Sequence, residues 1–228
     1  MMEIERKLKA LDRLYAVYDD YARTLDSACR MHCHACCTTH VTLTTLEAYK
    51  ICTALPPGER QKLFDRIRAA SDLKRFRPAT TTNALAELCA ADADLPSEPD
   101  ESTRSKCPLL TDGLCTVYAW RPFNCRCLIS RAPCAENGYA DMDEAAVAVN
   151  TVFLQTVEHV DADGCSGNLL DVLAVLSAEE AFAAYAGGAL HCSGNGLIAN
   201  RPMKVLMVPP DYRRQIEPIL QRLRAIRV

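Results

Sequence analysis

The chain has 228 residues, 49% of them apolar, and a formal net charge of −3. This predicts one domain, or two small ones, with an ordinary hydrophobic core. The slight negative charge excludes a general electrostatic attraction to nucleic acid or to an anionic membrane. No apolar run approaches the ~18 residues of a spanning helix, and no signal-peptide segment follows the charged N-terminus. The sequence therefore predicts a cytoplasmic protein with no nucleic-acid or membrane partner.

Helical patterns fill most of the chain before residue 94. Apolar residues recur at steps of three and four through residues 1–28, which predicts a helix with one face toward the core. Thr44-x-x-Glu47 is a capping box, which predicts a helix that ends near Leu55. Further helices are predicted at 60–76 and 82–93, with a surface loop at 94–106.

The sequence pattern after residue 106 differs from the helical pattern before it. Asp112-Gly113 lies between two apolar pairs and predicts a tight turn in a short hairpin. Helices resume beyond Asp141. They are predicted at 143–160, 168–176, 178–186 and 212–226, with a capping box at Ser177-x-x-Glu180 and a short strand at 203–208.

These patterns predict a mainly α fold. Helices would wrap around a loop-rich, cysteine metal-binding core that contains at most a short β-hairpin. Residues 1–140 would form the cysteine-cluster region with its N-terminal helices. Residues 141–228 would form a helical C-terminal region, packed with the first as one domain.

Eight of the 13 cysteines fall in two clusters, and we predict that these eight bind metal. They are Cys29, Cys33, Cys36 and Cys37 in the first cluster, and Cys107, Cys115, Cys125 and Cys127 in the second. Thiolates are good ligands for soft or borderline metals, and short spacings let one loop offer several of them. Cytosolic thiols stay reduced and the cysteine count is odd, so the clusters favour metal binding over a disulfide framework.

The spacing bears on the number and type of metal centres. Cys36 and Cys37 are adjacent and point in different directions in most backbone conformations, so they suit two neighbouring metals. Eight thiolates also match two four-ligand sites, which predicts two centres or one polynuclear centre. Only Cys33-x2-Cys36 resembles a zinc knuckle, and a proline follows Cys107 as in some bacterial ferredoxins. We therefore favour an iron–sulfur cluster of the [4Fe–4S] type, with zinc as the alternative.

The other candidate residues near the clusters have supporting roles. Cys134 is an alternative to Cys127 for completing the ligand set, and His32 and His34 are expected beside the metal or at the surface. Arg121 and Arg126 lie between predicted ligands, where guanidinium groups would lower thiol pKa values and offset thiolate charge. The remaining cysteines are predicted to be small core residues: Cys52, Cys89, Cys165 and Cys192.

Residues 107–126 resemble the signature of the YkgJ-type cysteine-cluster family, whose members are described as zinc- or iron-chelating domains. Two sets of positions carry the resemblance: Cys115, Tyr118, Arg121, Pro122, Cys125 and Arg126 in the signature, and Cys33, Cys36 and Cys37 in its upstream run. Cys29 lies one residue farther upstream than the pattern expects, and Ala35 stands where a glycine is common. The resemblance covers about half of the chain, residues 29–130, and implies metal chelation.

Three hypotheses about function follow. The first is a metal-binding protein that holds an iron–sulfur cluster or zinc, in which a cluster would serve a redox or electron-transfer role with a redox or protein partner. The second is a cluster-dependent group-transfer enzyme, because flagellin lysine methylases carry a similar cysteine pattern. The third is a metal chaperone or storage module. No residue is assigned as catalytic.

Overall fold

The structure is a computed structural model that describes residues 2–98, 104–192, 194 and 196–226. Its secondary structure is mainly α-helical, as predicted. The helices are α1 (Met2–Ala22), α2 (Thr45–Ala54), α3 (Pro57–Ala69), α4 (Thr82–Ala90), α5 (Phe123–Arg126), α6 (Cys134–Asn137), α7 (Glu144–Val160), α8 (Leu169–Leu176), α9 (Glu179–Ala186) and α10 (Arg213–Arg224). The strands are β1 (Thr42–Thr44), β2 (Leu110–Thr111), β3 (Leu114–Cys115), β4 (Cys165–Asn168) and β5 (Leu197–Ala199). None of the helices in these ranges has the length and apolar character needed to cross a membrane.

The predicted capping box at the start of α2 is confirmed. The Thr44 side chain accepts a hydrogen bond from the Glu47 backbone, and the Glu47 carboxylate accepts one from the Thr44 backbone. The next helix differs from its prediction, since α3 begins at Pro57 and ends at Ala69. A proline fits the first turn of a helix because no intrahelical partner is available for an N–H there.

Two other local predictions are wrong. Ser177 does not cap α9, because its hydroxyl donates to the Ala174 carbonyl instead and Ala178 occupies the N-cap position. Residues 203–208 form no strand. The Gln155 side chain donates to the Val205 carbonyl (2.7 Å) and accepts from the Met207 backbone (2.8 Å). A buried amide therefore satisfies the backbone groups that a neighbouring strand would have paired.

The β-structure exceeds the predicted hairpin. The hairpin exists, with β2 and β3 joined by Asp112 (φ 51°) and Gly113 (φ 77°), the positive φ values that a tight hairpin turn requires. A second sheet was not predicted: β1, β4 and β5 pair antiparallel, with β4 in the centre. At that centre a Cβ on Gly167 would lie 2.9 Å from the Gly196 carbonyl oxygen, so the close approach of the strands requires glycine.

One hydrophobic core draws on both halves of the chain. Its aromatic centre joins Tyr18 of α1, Phe123 of α5 and Phe153 of α7. The Phe123 and Phe153 rings stack with centroids 5.4 Å apart, and the Tyr18 ring meets Phe123 edge-on at 4.7 Å. The three-stranded sheet likewise combines β1 with β4 and β5. The regions 1–140 and 141–228 thus share both core and sheet.

The four cysteines predicted as core residues have three different environments. Cys52 is fully buried, as predicted. Cys89 is exposed on α4, so its prediction is wrong. Cys165 and Cys192 form a disulfide with a Cα–Cα distance of 5.7 Å, which ties β4 to the loop before β5. The expectation of reduced thiols is therefore wrong for this pair, which the sequence places 27 residues apart.

Asp161 connects the end of α7 to the start of α2. Its carboxylate is fully buried and accepts from the Thr45 hydroxyl (2.7 Å), the Leu46 backbone (2.9 Å) and the Tyr185 hydroxyl (2.7 Å). Burial raises the pKa of Asp161 from its ordinary value of 3.8 to about 6, although these hydrogen bonds oppose the shift. The first turn of α2 is thus held by a carboxylate that titrates unusually high.

Loss of the disulfide should destabilise the protein. A cross-link restricts the unfolded chain, and for a loop of this length we expect Cys192→Ser to lower the free energy of unfolding by about 2–4 kcal/mol. Urea unfolding with and without a reductant measures this. Cys89→Ser, at an exposed free cysteine, is the control. Unfolding of the wild type that does not respond to reductant would contradict the pairing.

Asp161 should make stability depend on pH. Its folded-state pKa of about 6 lies above the ordinary 3.8, so the folded state binds this proton more tightly than the unfolded chain. The stabilising contribution is therefore complete below the unfolded pKa and is lost as pH rises through the folded pKa. Relative to Asp161→Asn, we expect the unfolding free energy of the wild type to fall by up to about 3 kcal/mol over this window. Urea unfolding at several pH values measures the difference, and a pH-independent difference would contradict it.

Candidate metal centre

The backbone brings the two cysteine segments side by side. Thr38 and Lys106 form an antiparallel bridge. Next to it, the Cys107 backbone donates to the Cys37 carbonyl at 3.0 Å. Cys37 and Cys107 thus lie directly opposite each other, although nearly 70 residues separate them in the sequence.

The hairpin adds the next cysteine. The Cys107 carbonyl accepts from the Leu110 backbone at 3.2 Å, and Leu110 pairs with Cys115 in the β2–β3 register. The turn at Asp112-Gly113 therefore folds Cys115 back toward Cys107. Local turn chemistry, which the sequence predicts, accounts for this part of the site.

Long-range hydrogen bonds position Cys125. The buried Glu47 carboxylate accepts from the Phe123 backbone at 2.6 Å, at the start of α5. The Asn124 side chain donates to the Thr42 carbonyl (3.0 Å) and to the Thr42 hydroxyl (2.8 Å). The four-residue helix that carries Cys125 is thereby fastened to α2 and β1.

The thiols of these segments are close enough to influence one another electrostatically. Burial raises the pKa of Cys125 well above its ordinary value, and Cys107, Cys115 and Cys36 raise it further. Burial also raises the pKa of Cys107 to about 11, with a further contribution from Cys115. Ionised sulfurs that repel each other at this site would be stabilised by a cation placed among them.

The thiols of Cys36 and Cys37 lie side by side, so the prediction that they point in different directions is wrong. A hydrogen bond between their side chains raises the pKa of Cys36 and lowers that of Cys37, so Cys36 is the donor. The other thiols that act on Cys37 are Cys125, Cys107 and Cys115. Cys37 therefore belongs to a group of four thiols, Cys37, Cys107, Cys115 and Cys125, which we call the four-thiol group.

Cys36 also borders a cavity of about 410 Å³. Apolar side chains form part of its wall, together with Asn124, Arg104 and the thiol of Cys134. Cys134, on α6, thus faces this cavity. A small molecule in this cavity could therefore reach Cys36 and Cys134.

Three further predicted ligands are outside the four-thiol group as defined above, although Cys127 also raises the pKa of Cys125. Cys127 is buried in the core, its sulfur 3.6 Å from the Asn124 carbonyl, and burial raises its pKa to about 12. Cys29 is exposed, with its sulfur 3.9 Å from the Leu128 carbonyl oxygen. Cys33 is also exposed.

The two histidines near Cys33 contact the hairpin turn. A Cβ at Gly113 would lie 3.3 Å from His34 Cδ2 and 3.6 Å from His32 Nδ1. The loop that carries both histidines and Cys33 therefore packs over the turn between β2 and β3.

Arg121 lies where the sequence predicted an arginine beside the thiols. Its positive charge opposes the burial that raises the pKa of Cys115. The guanidinium carbon also lies 4.0 Å from the centroid of the Tyr118 ring, a cation–π contact. Arg121 thus connects the thiol site to an exposed aromatic ring.

Arg126 supports the loop rather than the thiols. Its guanidinium donates to the carbonyls of Arg121 (3.0 Å) and Ala119 (3.1 Å) and lies 4.2 Å from the Tyr15 ring centroid. An ion pair with Asp19 (3.3 Å) adds a second contact to α1. Arg126 therefore fixes the path of the chain between Cys115 and Cys125.

The thiols are gathered but do not stand in coordinating positions. Among the residues the structure describes, no three His, Cys, Asp or Glu side chains are placed to hold one metal ion. The hydrogen bonds described above bring the backbone segments that carry these cysteines together. Rotation of the cysteine side chains determines the remaining sulfur–sulfur distances.

Comparison with known proteins adds no assignment, because no family model, curated protein or solved structure matches the chain. The resemblance of residues 107–126 to the cysteine-cluster family stays a prediction.

Sequence reasoning missed the part that Glu47 plays in this site. Besides Phe123, its carboxylate accepts from the Tyr15 hydroxyl (2.7 Å) and from the Thr44 backbone (2.8 Å). The capping box identified Glu47 as a helix cap, which explains only the bond to Thr44. The bonds to α1 and α5 depend on the three-dimensional path of the chain.

Replacement of Glu47 by glutamine should destabilise the protein. The NH2 group of the glutamine would point either toward the donors of Thr44 or toward those of Tyr15 and Phe123. In both cases some buried donors would lose their acceptor. We expect Glu47→Gln to lower the free energy of unfolding by about 1–3 kcal/mol, measured by urea unfolding. Glu59→Gln, which removes an exposed carboxylate 2.8 Å from Lys62, is the control and should cost less than about 1 kcal/mol. Equal effects would contradict the role of Glu47.

Proposed function

We propose that the four-thiol group, Cys37, Cys107, Cys115 and Cys125, holds a metal centre, and that this centre is an iron–sulfur cluster with a redox role. The observation that carries the proposal is the convergence of thiols from three separate segments: the loop after α1, the β2–β3 hairpin and α5. Four thiolates suit both an iron–sulfur cluster and tetrahedral zinc.

The electrostatics of the site support this proposal. Burial raises the pKa of Cys107, Cys115 and Cys125, and neighbouring thiols raise those of Cys107 and Cys125 further. A group of buried thiols is therefore poorly suited to ionise by itself. A bound cationic centre would stabilise the thiolate forms and release their protons, so we expect metal affinity to increase with pH.

The position of Arg121 is consistent with the same centre. A thiolate-ligated ion or cluster is anionic overall, and a nearby guanidinium offsets part of that charge. Charge and hydrogen bonding around the sulfurs also adjust the reduction potential of such clusters. The charge of Arg121 lowers the pKa of Cys115, which supports this role.

The cavity beside Cys36 favours a second candidate, a cluster-dependent group-transfer enzyme. Such an enzyme needs room for a substrate next to its metal centre, and a cavity of about 410 Å³ lies within the size range of small-molecule sites. Cys36 and Cys134 both line this cavity, and Cys36 is hydrogen-bonded to Cys37 of the four-thiol group. Electron transfer without a bound substrate does not need this cavity.

Metal and acid-labile sulfide analysis, with an absorption spectrum, tests the proposal on protein purified without oxygen. We expect iron and sulfide together. Cys125→Ser should lower metal affinity by more than about tenfold, since loss of supporting groups alone costs about 10–100-fold. Zinc without sulfide would retain the four-thiol site but exclude the redox role and the cluster-dependent enzyme.

Two control variants separate the four-thiol group from other cysteines. Cys33→Ser changes an exposed thiol of the first cluster, and Cys89→Ser changes an exposed thiol on α4. Both should retain the metal content of the wild type. Unchanged metal content in Cys125→Ser and Cys37→Ser would overturn the proposal.

A further inference from the structure

Large apolar side chains are exposed on the segments that carry the cysteines. The exposed fraction is 81% for Met31, 62% for Tyr118 and 45% for Leu114. Burial of such side chains is a main source of stability in folding and in association. Exposed apolar groups that cluster together commonly mark an interaction surface.

Contacts between the segments place these side chains on one part of the molecule. His32, next to Met31, packs over Gly113, which precedes Leu114. Tyr118 follows β3 closely and its ring is covered on one side by Arg121. We call the surface formed by Met31, Leu114 and Tyr118 the apolar patch.

Basic residues are frequent on the segments that carry the apolar patch, and one of them, Arg121, contacts the Tyr118 ring. Within residues 29–38 and 104–121, four basic side chains stand against a single acidic one, Asp112, whereas the whole chain has a net charge of −3. The four are Arg30, Arg104, Lys106 and Arg121. Arg30 and Lys106 are exposed. Arg66 of α3 extends the basic edge by donating to the Thr111 hydroxyl at 2.7 Å.

We propose that the apolar patch and the basic residues of the same segments form the docking surface for an acidic protein partner. This inference rests on the proposed function, because the patch is built from the segments that supply the four-thiol group. A partner docked there would lie close to the centre, as electron transfer requires. The opposite charge of the partner would steer the encounter, and the apolar side chains would pack at its middle.

Charge and composition favour a protein over a nucleic acid as the occupant. Nucleic-acid sites present basic groups that follow a phosphate backbone, whereas this surface also exposes three large apolar side chains. A small apolar middle with a charged rim is the usual anatomy of a transient protein–protein interface. Nucleic acid is therefore an outcome of the test rather than part of the proposal.

The test compares three probes on metal-loaded protein by biolayer interferometry, at about 20 mM and about 200 mM salt. The probes are an acidic plant-type ferredoxin, a basic cytochrome c and a single-stranded DNA oligonucleotide. We expect the ferredoxin to bind best and to lose affinity at the higher salt concentration. Tighter binding of either other probe would overturn the proposal.

Variants locate the binding surface. Arg30→Glu with Lys106→Glu should weaken ferredoxin binding by about tenfold through reduced electrostatic attraction, and Met31→Ser with Leu114→Ser should weaken it at both salt concentrations. Arg213→Glu with Arg214→Glu, at two exposed arginines of α10, changes the net charge by the same amount, is the control, and should change binding little. An equal effect of this control, or no binding of the ferredoxin, would overturn the docking surface.

Metal analysis of each variant separates this proposal from the proposed function. If the wild type holds no metal, the proposed function fails, and the docking proposal that rests on it fails as well. If metal content is normal in every variant and binding does not follow the patch, only the docking proposal fails.

Discussion

The buried carboxylate of Glu47 is the interaction on which the arrangement of the site most depends. It joins three elements by accepting from Tyr15 in α1, from Thr44 at the start of α2 and from Phe123 at the start of α5. A buried carboxylate is stable only when its oxygens are well satisfied. Because those donors come from distant parts of the chain, satisfying Glu47 also determines where the segment with Cys125 can lie.

Local chemistry explains which features the sequence predicts well. The Asp112-Gly113 turn, the cap at Thr44 and the long helices follow from neighbouring residues alone. The spacing of the cysteines likewise predicts that some of them gather. It does not tell which ones, because the position of Cys125 depends on α5, whose Phe123 backbone donates to Glu47 and whose Asn124 side chain donates to Thr42.

Neighbouring residues alone do not predict features that depend on partners far away in the chain. The central strand, β4, has the sequence Cys-Ser-Gly-Asn, a composition that disfavours strands in isolation. It forms because Thr42–Thr44 pairs with one edge and Leu197–Ala199 with the other. The disulfide between Cys165 and Cys192 was missed for a related reason, since their proximity is a product of this sheet.

The β1–β4–β5 sheet is completed late in synthesis, because β4 and β5 lie far along the chain from β1. Thr45 and its partner Asp161 are 116 residues apart, and chain growth proceeds at about 5–20 residues per second, so roughly 6–23 s pass before the two can meet. All thiols of the four-thiol group have been made by then, whereas the strands that complete the sheet have not. The cysteine segments are therefore available to each other, and to metal, while the core beneath them is still incomplete. Delivery of metal during synthesis would act on the nascent chain at the stage when these thiols are most accessible.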